Sequence, residues 1–104
     1  MQMLAAAILD VLMQLKSKDA GVWSEEKKSA TADRVARHVN DWPNMENQQV
    51  TGRTVIGWRN NQKGSSEAAR RPFDTVVAQI LAAETPQAEV DRLLRDGPPG
   101  QFRD

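Results

Sequence analysis

The sequence predicts an all-α fold of about five helices, opening on an apolar N-terminal helix. Three observations carry this. Apolar residues recur at three- and four-residue spacing in successive stretches, as on one face of a helix. No stretch alternates with the period of two that marks a half-buried strand, and no internal repeat is present. Ser, Thr, Gly and Pro fall between the apolar stretches, where helices start and stop. With 104 residues the chain fits one domain, expected over 1–97 and followed by a loose tail at 98–104.

Residues 2–16 read as the first helix. They are rich in Ala, Leu and Met, which favour helices, and contain no Gly or Pro. Met3, Leu4, Ile8, Leu9, Val11, Leu12 and Leu15 place apolar groups almost all round, and such a helix must be covered on every side. Either a second subunit covers it or it is the centre of the bundle. Residues 16–21 read as a polar connection ending at Gly21. Ser24 is an expected N-cap with Glu25 and Glu26 in the first turn, where acids suit the helix dipole. Val35, Ala36, Val39 and Trp42 mark the buried stripe of a helix over 24–41, in one or two pieces, which Pro43 stops. Residues 43–49, PNMENQQ, read as a polar loop.

Residues 50–64, VTGRTVIGWRNNQKG, form the expected third helix. Thr51 can cap it, and Val50 and Val55 can close over the cap as a hydrophobic staple. Residues 63–71 read as a loop holding Gly64, Ser65 and Ser66, with Pro72 at the start of the next helix. Phe73, Val76, Val77, Ile80 and Leu81 give that helix its stripe, to about residue 84. Pro86 opens the last helix, Val90, Leu93 and Leu94 face its core, and Gly97-Pro98-Pro99-Gly100 ends it.

Net charge is zero, which argues against a general polycation. Its distribution is uneven. Residues 51–72 hold five cations, Arg53, Arg59, Lys63, Arg70 and Arg71, against the single anion Glu67, a local balance of +4. Residues 84–96 hold Glu84, Glu89, Asp91 and Asp96 against Arg92 and Arg95, a balance of −2. There is no cysteine, which excludes disulfides and thiolate metal sites and is compatible with a reducing cytoplasm. The apolar run over 3–15 is broken by Asp10, is too short to span a bilayer and has no basic segment before it, so no membrane association is expected.

Catalytic chemistry is not evident. The lone histidine, His38, has no second His or Cys with which to hold a metal, and Ser65-Ser66 has no base placed beside it by a local motif. Gly57 and Gly64 lack the spacing of a phosphate-binding loop. The expectation is a protein without enzyme activity, metal or cofactor.

The third helix asks for more than a packed core. Val55 and Trp58, three apart, share an inward face. The other face carries Gly52, Arg53, Ile56, Gly57, Arg59, Asn60 and Lys63. Arg can pair with guanine edges, Asn with adenine, and an aliphatic group can touch a thymine methyl. Glycine lets a backbone approach closely, and a glycine inside a helix costs roughly 0.5–1 kcal/mol against alanine, so it usually has a packing or functional reason. An ordinary solvated basic face is the plain alternative.

The run Val50-Thr51-Gly52-Arg53-Thr54-Val55-Ile56-Gly57-Trp58-Arg59-Asn60 resembles the recognition helix of helix-turn-helix DNA-binding regulators, the lambda-repressor-like proteins among them. An aliphatic residue precedes a Thr cap, a Thr-Val pair follows, and a Trp stands three further on. The helix over 32–39 resembles the first helix of such a pair. The likeness covers roughly a third of the chain. The connection over 40–49, which carries Pro43, is longer than the short turn of that family. The resemblance implies a helix-turn-helix-like core, double-stranded DNA as partner and a bacterial or phage regulatory role.

Arg53, Arg59 and Asn60 are then the residues expected at base edges or nearby phosphates. Thr51, Lys63, Arg70 and Arg71 are expected on the DNA backbone, with Gly52, Ile56 and Gly57 completing the face. A homodimer through the first helix, with help from the helices over 73–94, would place two copies about one DNA turn apart. The alternative is a helical protein-interaction module with no nucleic-acid partner, its basic face docking an acidic surface.

Overall fold

The helix that opens the chain is the centre of the bundle. A computed structural model describes residues 3–20, 24–43 and 49–97. Among them are five helices and no strand: α1 (Met3–Ala20), α2 (Glu25–Val39), α3 (Gly52–Lys63), α4 (Glu67–Leu81) and α5 (Pro86–Asp96). The all-α expectation holds. All four later helices pack on α1. Leu4, Ile8, Leu9, Val11, Leu12 and the run Ala5-Ala6-Ala7 are each no more than 2% exposed. Three successive alanines present almost no side-chain bulk, and interhelical distance is set by the side chains at the contact.

This corrects the ground for a homodimer through α1. The apolar surface that asked for a second copy is covered within one chain. α1 also runs to Ala20, beyond the expected end at 16. The residues 16–19 are polar, but they include two helix-favouring lysines and no Gly or Pro, so nothing there stops the helix.

α2 is one continuous helix. Ser24 Oγ accepts from the Lys27 amide at 3.2 Å, and Glu25 and Glu26 fill the first turn. Ala32, Val35, Ala36 and Val39 form its buried stripe, as their spacing indicated. Trp42, just past its end, is 3% exposed. Its indole Nε1 donates to the Leu94 carbonyl at 3.0 Å, satisfying one of the carbonyls left without an intrahelical partner at the end of α5. Gly97 terminates α5 with φ of 83°, a conformation for which glycine carries no Cβ penalty.

Asn40 joins the end of α2 to the approach of α3. Its Nδ2 donates to the Val50 carbonyl at 2.8 Å, and its Oδ1 accepts from the Val50 amide at 2.9 Å. One side-chain amide thus satisfies both backbone groups of a residue ten positions away. Residues 44–48 of the expected polar loop lie outside the described residues, as do 21–23 and the expected tail at 98–104.

α4 differs from expectation at its start. The loop before it is only Gly64–Ser66, and Pro72 lies inside the helix. Ser66 caps the helix by accepting from the Ala69 amide at 3.3 Å, with Glu67 in the first turn. Those signals, with Ala68 and Ala69, start the helix at Glu67, five residues earlier than the proline suggested. Pro72 removes one donor to the carbonyl of Ala68. Both residues are exposed, so water reaches that carbonyl. Phe73, Val76, Val77 and Ile80 are buried as their spacing required, and Pro86 occupies the start of α5. Among the described residues no helix is long and apolar enough to cross a membrane.

Candidate nucleic-acid interface

The site begins with how α3 is held. Thr51 Oγ1 accepts from the Thr54 amide at 3.2 Å, and Thr54 Oγ1 accepts from the Thr51 amide at 3.3 Å. This reciprocal cap satisfies two backbone donors of the first turn. Val50 before the cap and Val55 after it are 5% and 0% exposed, the positions of a hydrophobic staple. Thr51 is itself exposed, its hydroxyl engaged in the cap.

α3 lies mainly against α1 and α2. Its inner row is Gly52, Val55, Arg59 and Gln62, spaced three and four apart. Gly52 fits tightly: an added Cβ would stand 2.9 Å from the Asp33 backbone nitrogen and 2.1 Å from Asp33 Oδ1. The absent side chain is what lets the start of α3 meet the middle of α2. Gly52 is buried and belongs to the helix crossing, not to the outer face where the sequence reading placed it.

Arg59 is also on the inner side. Its Nε donates to Asp10 Oδ1 at 2.8 Å, and its side chain is 19% exposed. Asp10, on α1, is 3% exposed. Gln14 Nε2 donates to Asp10 Oδ2 at 2.8 Å, and Lys63 Nζ lies 3.4 Å from Oδ1. Burying a carboxylate is tolerated where it is paired and hydrogen-bonded, and these three donors supply that. Asp10 was visible in the sequence only as an acid interrupting an apolar run. Arg59 and Lys63, four apart on α3, were the matching signal, since that spacing puts both cations on one face.

Arg53, Gly57, Asn60 and Gly64 make the outer row, at i, i+4, i+7 and i+11. Arg53 and Asn60 are exposed, and among the described residues neither side chain has a hydrogen-bond partner. Gly57 lies between them, and a Cβ built there meets nothing within 4 Å. Ile56 is half-buried and borders a cavity with Leu9 and Met13 of α1. Trp58 is half-buried against the core, and Val55 is fully inside it.

The remaining cations are unequal. Lys63 keeps half its side chain, 49%, exposed beside Asp10. Arg70 pairs with Asp74 at 3.1 Å and donates to the Lys63 carbonyl at 3.4 Å, which holds it near the C-terminal end of α3. Arg71 is exposed on α4. Of the five cations in the basic window, Arg53 and Arg71 thus present charge to solvent, unpaired among the described residues, and Lys63 does so while also reaching Asp10, whereas Arg59 is held by the buried Asp10 and Arg70 by the half-exposed Asp74. No family model, curated protein sequence or solved structure matches the chain.

Proposed function

We propose that the protein binds double-stranded DNA through the outer row of α3 and acts as a small cytoplasmic transcriptional regulator. The observation that carries this reading is the row itself. Two unengaged polar side chains suited to base edges, Arg53 and Asn60, flank a mid-helix glycine whose missing side chain the fold does not require. A helix enters the major groove with its exposed face toward the base edges, and close approach favours a row with little bulk. Lys63 and Arg71 supply phosphate contacts, which position the helix without reading sequence. Arg59 acts from behind, fixing α3 on α1. Affinity gained from a second copy comes through surface outside α1.

Gel shifts on a random double-stranded library at several salt concentrations test the reading. Three solvent-facing cations per copy give an expected slope of log K against log salt of about −3. Flow-through on DNA-cellulose and on heparin at low salt would overturn it and favour a protein partner for the same face.

A further inference from the structure

We propose that the cavity between α1, α2 and α3 is a binding site for a small monocarboxylate with a short apolar body. The cavity has a volume of about 230 Å³. Leu9, Met13 and Ile56 give it an apolar lining, and Arg59, Asn60, Lys28 and Glu25 supply polar groups. That division matches a ligand with one apolar part and one charged end, since a few placed polar groups orient what an apolar lining holds.

The charge of the ligand follows from Arg59. Its Nε is committed to Asp10, and that pairing fixes the side chain, four-fifths buried, beside the cavity. Among the described residues Asp10 is its hydrogen-bond partner, which leaves the N–H groups of its two terminal nitrogens for an incoming acceptor. A guanidinium presents such donors as a planar fork that a carboxylate meets with two parallel hydrogen bonds. Lys28, at the same cavity, is a second cation.

Lys28 is engaged at 3.4 Å by Glu25, whose side chain is 91% exposed. An ion pair that open to water contributes little and is readily exchanged. Glu25 thus occupies the position of an internal competitor, a carboxylate that a ligand carboxylate displaces from Lys28. Two cations and one anion around the cavity favour a single negative charge. A dianion would set its second charge against Glu25, and a cation would meet Arg59 and Lys28.

Hexanoate is the probe, with hexanamide as its uncharged counterpart, titrated into the full chain and followed by backbone amide NMR and calorimetry. Hexanoate is expected to bind with a dissociation constant of roughly 1 mM and to shift the amide signals of Ile56 and Asn60, with hexanamide about ten-fold weaker. Glu25→Gln is expected to tighten hexanoate about three-fold by removing the competitor, and Lys28→Ala to weaken it about five-fold. Both side chains lie at the surface, and circular dichroism confirms that the variants fold. Equal binding of acid and amide, no shift at Ile56 or Asn60 at about 20 mM hexanoate, or an unchanged affinity in Glu25→Gln would each overturn the assignment. These readouts involve no DNA, so they stand or fall apart from the proposed function.

Discussion

Arg59 Nε lies 2.8 Å from Asp10 Oδ1 across the packing of α3 on α1, and apart from Lys63, which reaches the same carboxylate, no cation of the described residues pairs with a carboxylate so deeply covered. Arg59→Ala strips that carboxylate of its nearest cation while Gln14 and Lys63 remain. The expected loss is about 3 kcal/mol, the lower end for breaking a buried pair. Urea unfolding measures it. A loss under about 0.5 kcal/mol, ordinary for a surface residue, would refute the positioning role.

Gly52 and Gly57 belong to one helix and are expected to respond oppositely to the same change. Gly52→Ala forces a Cβ into the Asp33 backbone and is expected to destabilise by about 1–3 kcal/mol. Gly57→Ala meets open space and should stabilise by roughly 0.5–1 kcal/mol, raising the melting temperature by a few degrees. If α3 enters a groove, Gly57→Ala also weakens DNA binding while the protein becomes more stable. A variant that is more stable and binds DNA unchanged would show that nothing approaches the helix there.

Arg53→Ala and Asn60→Ala remove exposed side chains, and their unfolding free energies should stay within about 0.5 kcal/mol of the parent. In DNA binding each is expected to lose about 1–3 kcal/mol of discrimination at one base pair. Lys63→Ala should instead weaken all sequences alike and reduce the salt slope by about 1. Selection of binding sites from a random library separates the two patterns, and an unchanged selected sequence in Arg53→Ala would remove that residue from readout.

Leu9→Glu places a carboxylate at a position 1% exposed, among helices of the same chain. The expected result is global unfolding, seen by circular dichroism, and not a folded monomer released from a dimer. A folded Leu9→Glu protein of halved mass in sedimentation would restore the two-subunit account of α1.

The sequence was legible where one residue's chemistry decides the outcome. Ser24 and Thr51 marked helix starts because capping is local, Pro86 because a first helical position needs no N–H, and the stripes of α2, α4 and α5 followed from spacing. Pro72 misled because proline reads as a boundary, whereas the Ser66 cap and Glu67 outweighed it. The cover over α1 was not legible. An all-round apolar helix requires burial, but its pattern does not say whether the cover comes from its own chain. The inward turn of Arg59, and the reach of the half-exposed Lys63 to the same carboxylate, were missed for a related reason. Their partner Asp10 is forty-nine positions away from Arg59 and becomes a partner only when α3 lies on α1.

Asn40 holds Val50 by both backbone groups, so the ends of the intervening segment are set by a contact that the segment itself does not make. The placement of α3 is thereby insulated from how many residues lie between. The entropy of closing a loop grows only slowly with its length, each doubling adding only about 0.6 kcal/mol. Extra residues inserted between Asn40 and Val50, a grafted epitope or a reporter peptide, are thus expected to cost the fold little. An inserted sequence there would leave the chain on either side in register, as a stitched seam keeps its edges aligned whatever cloth is let in between.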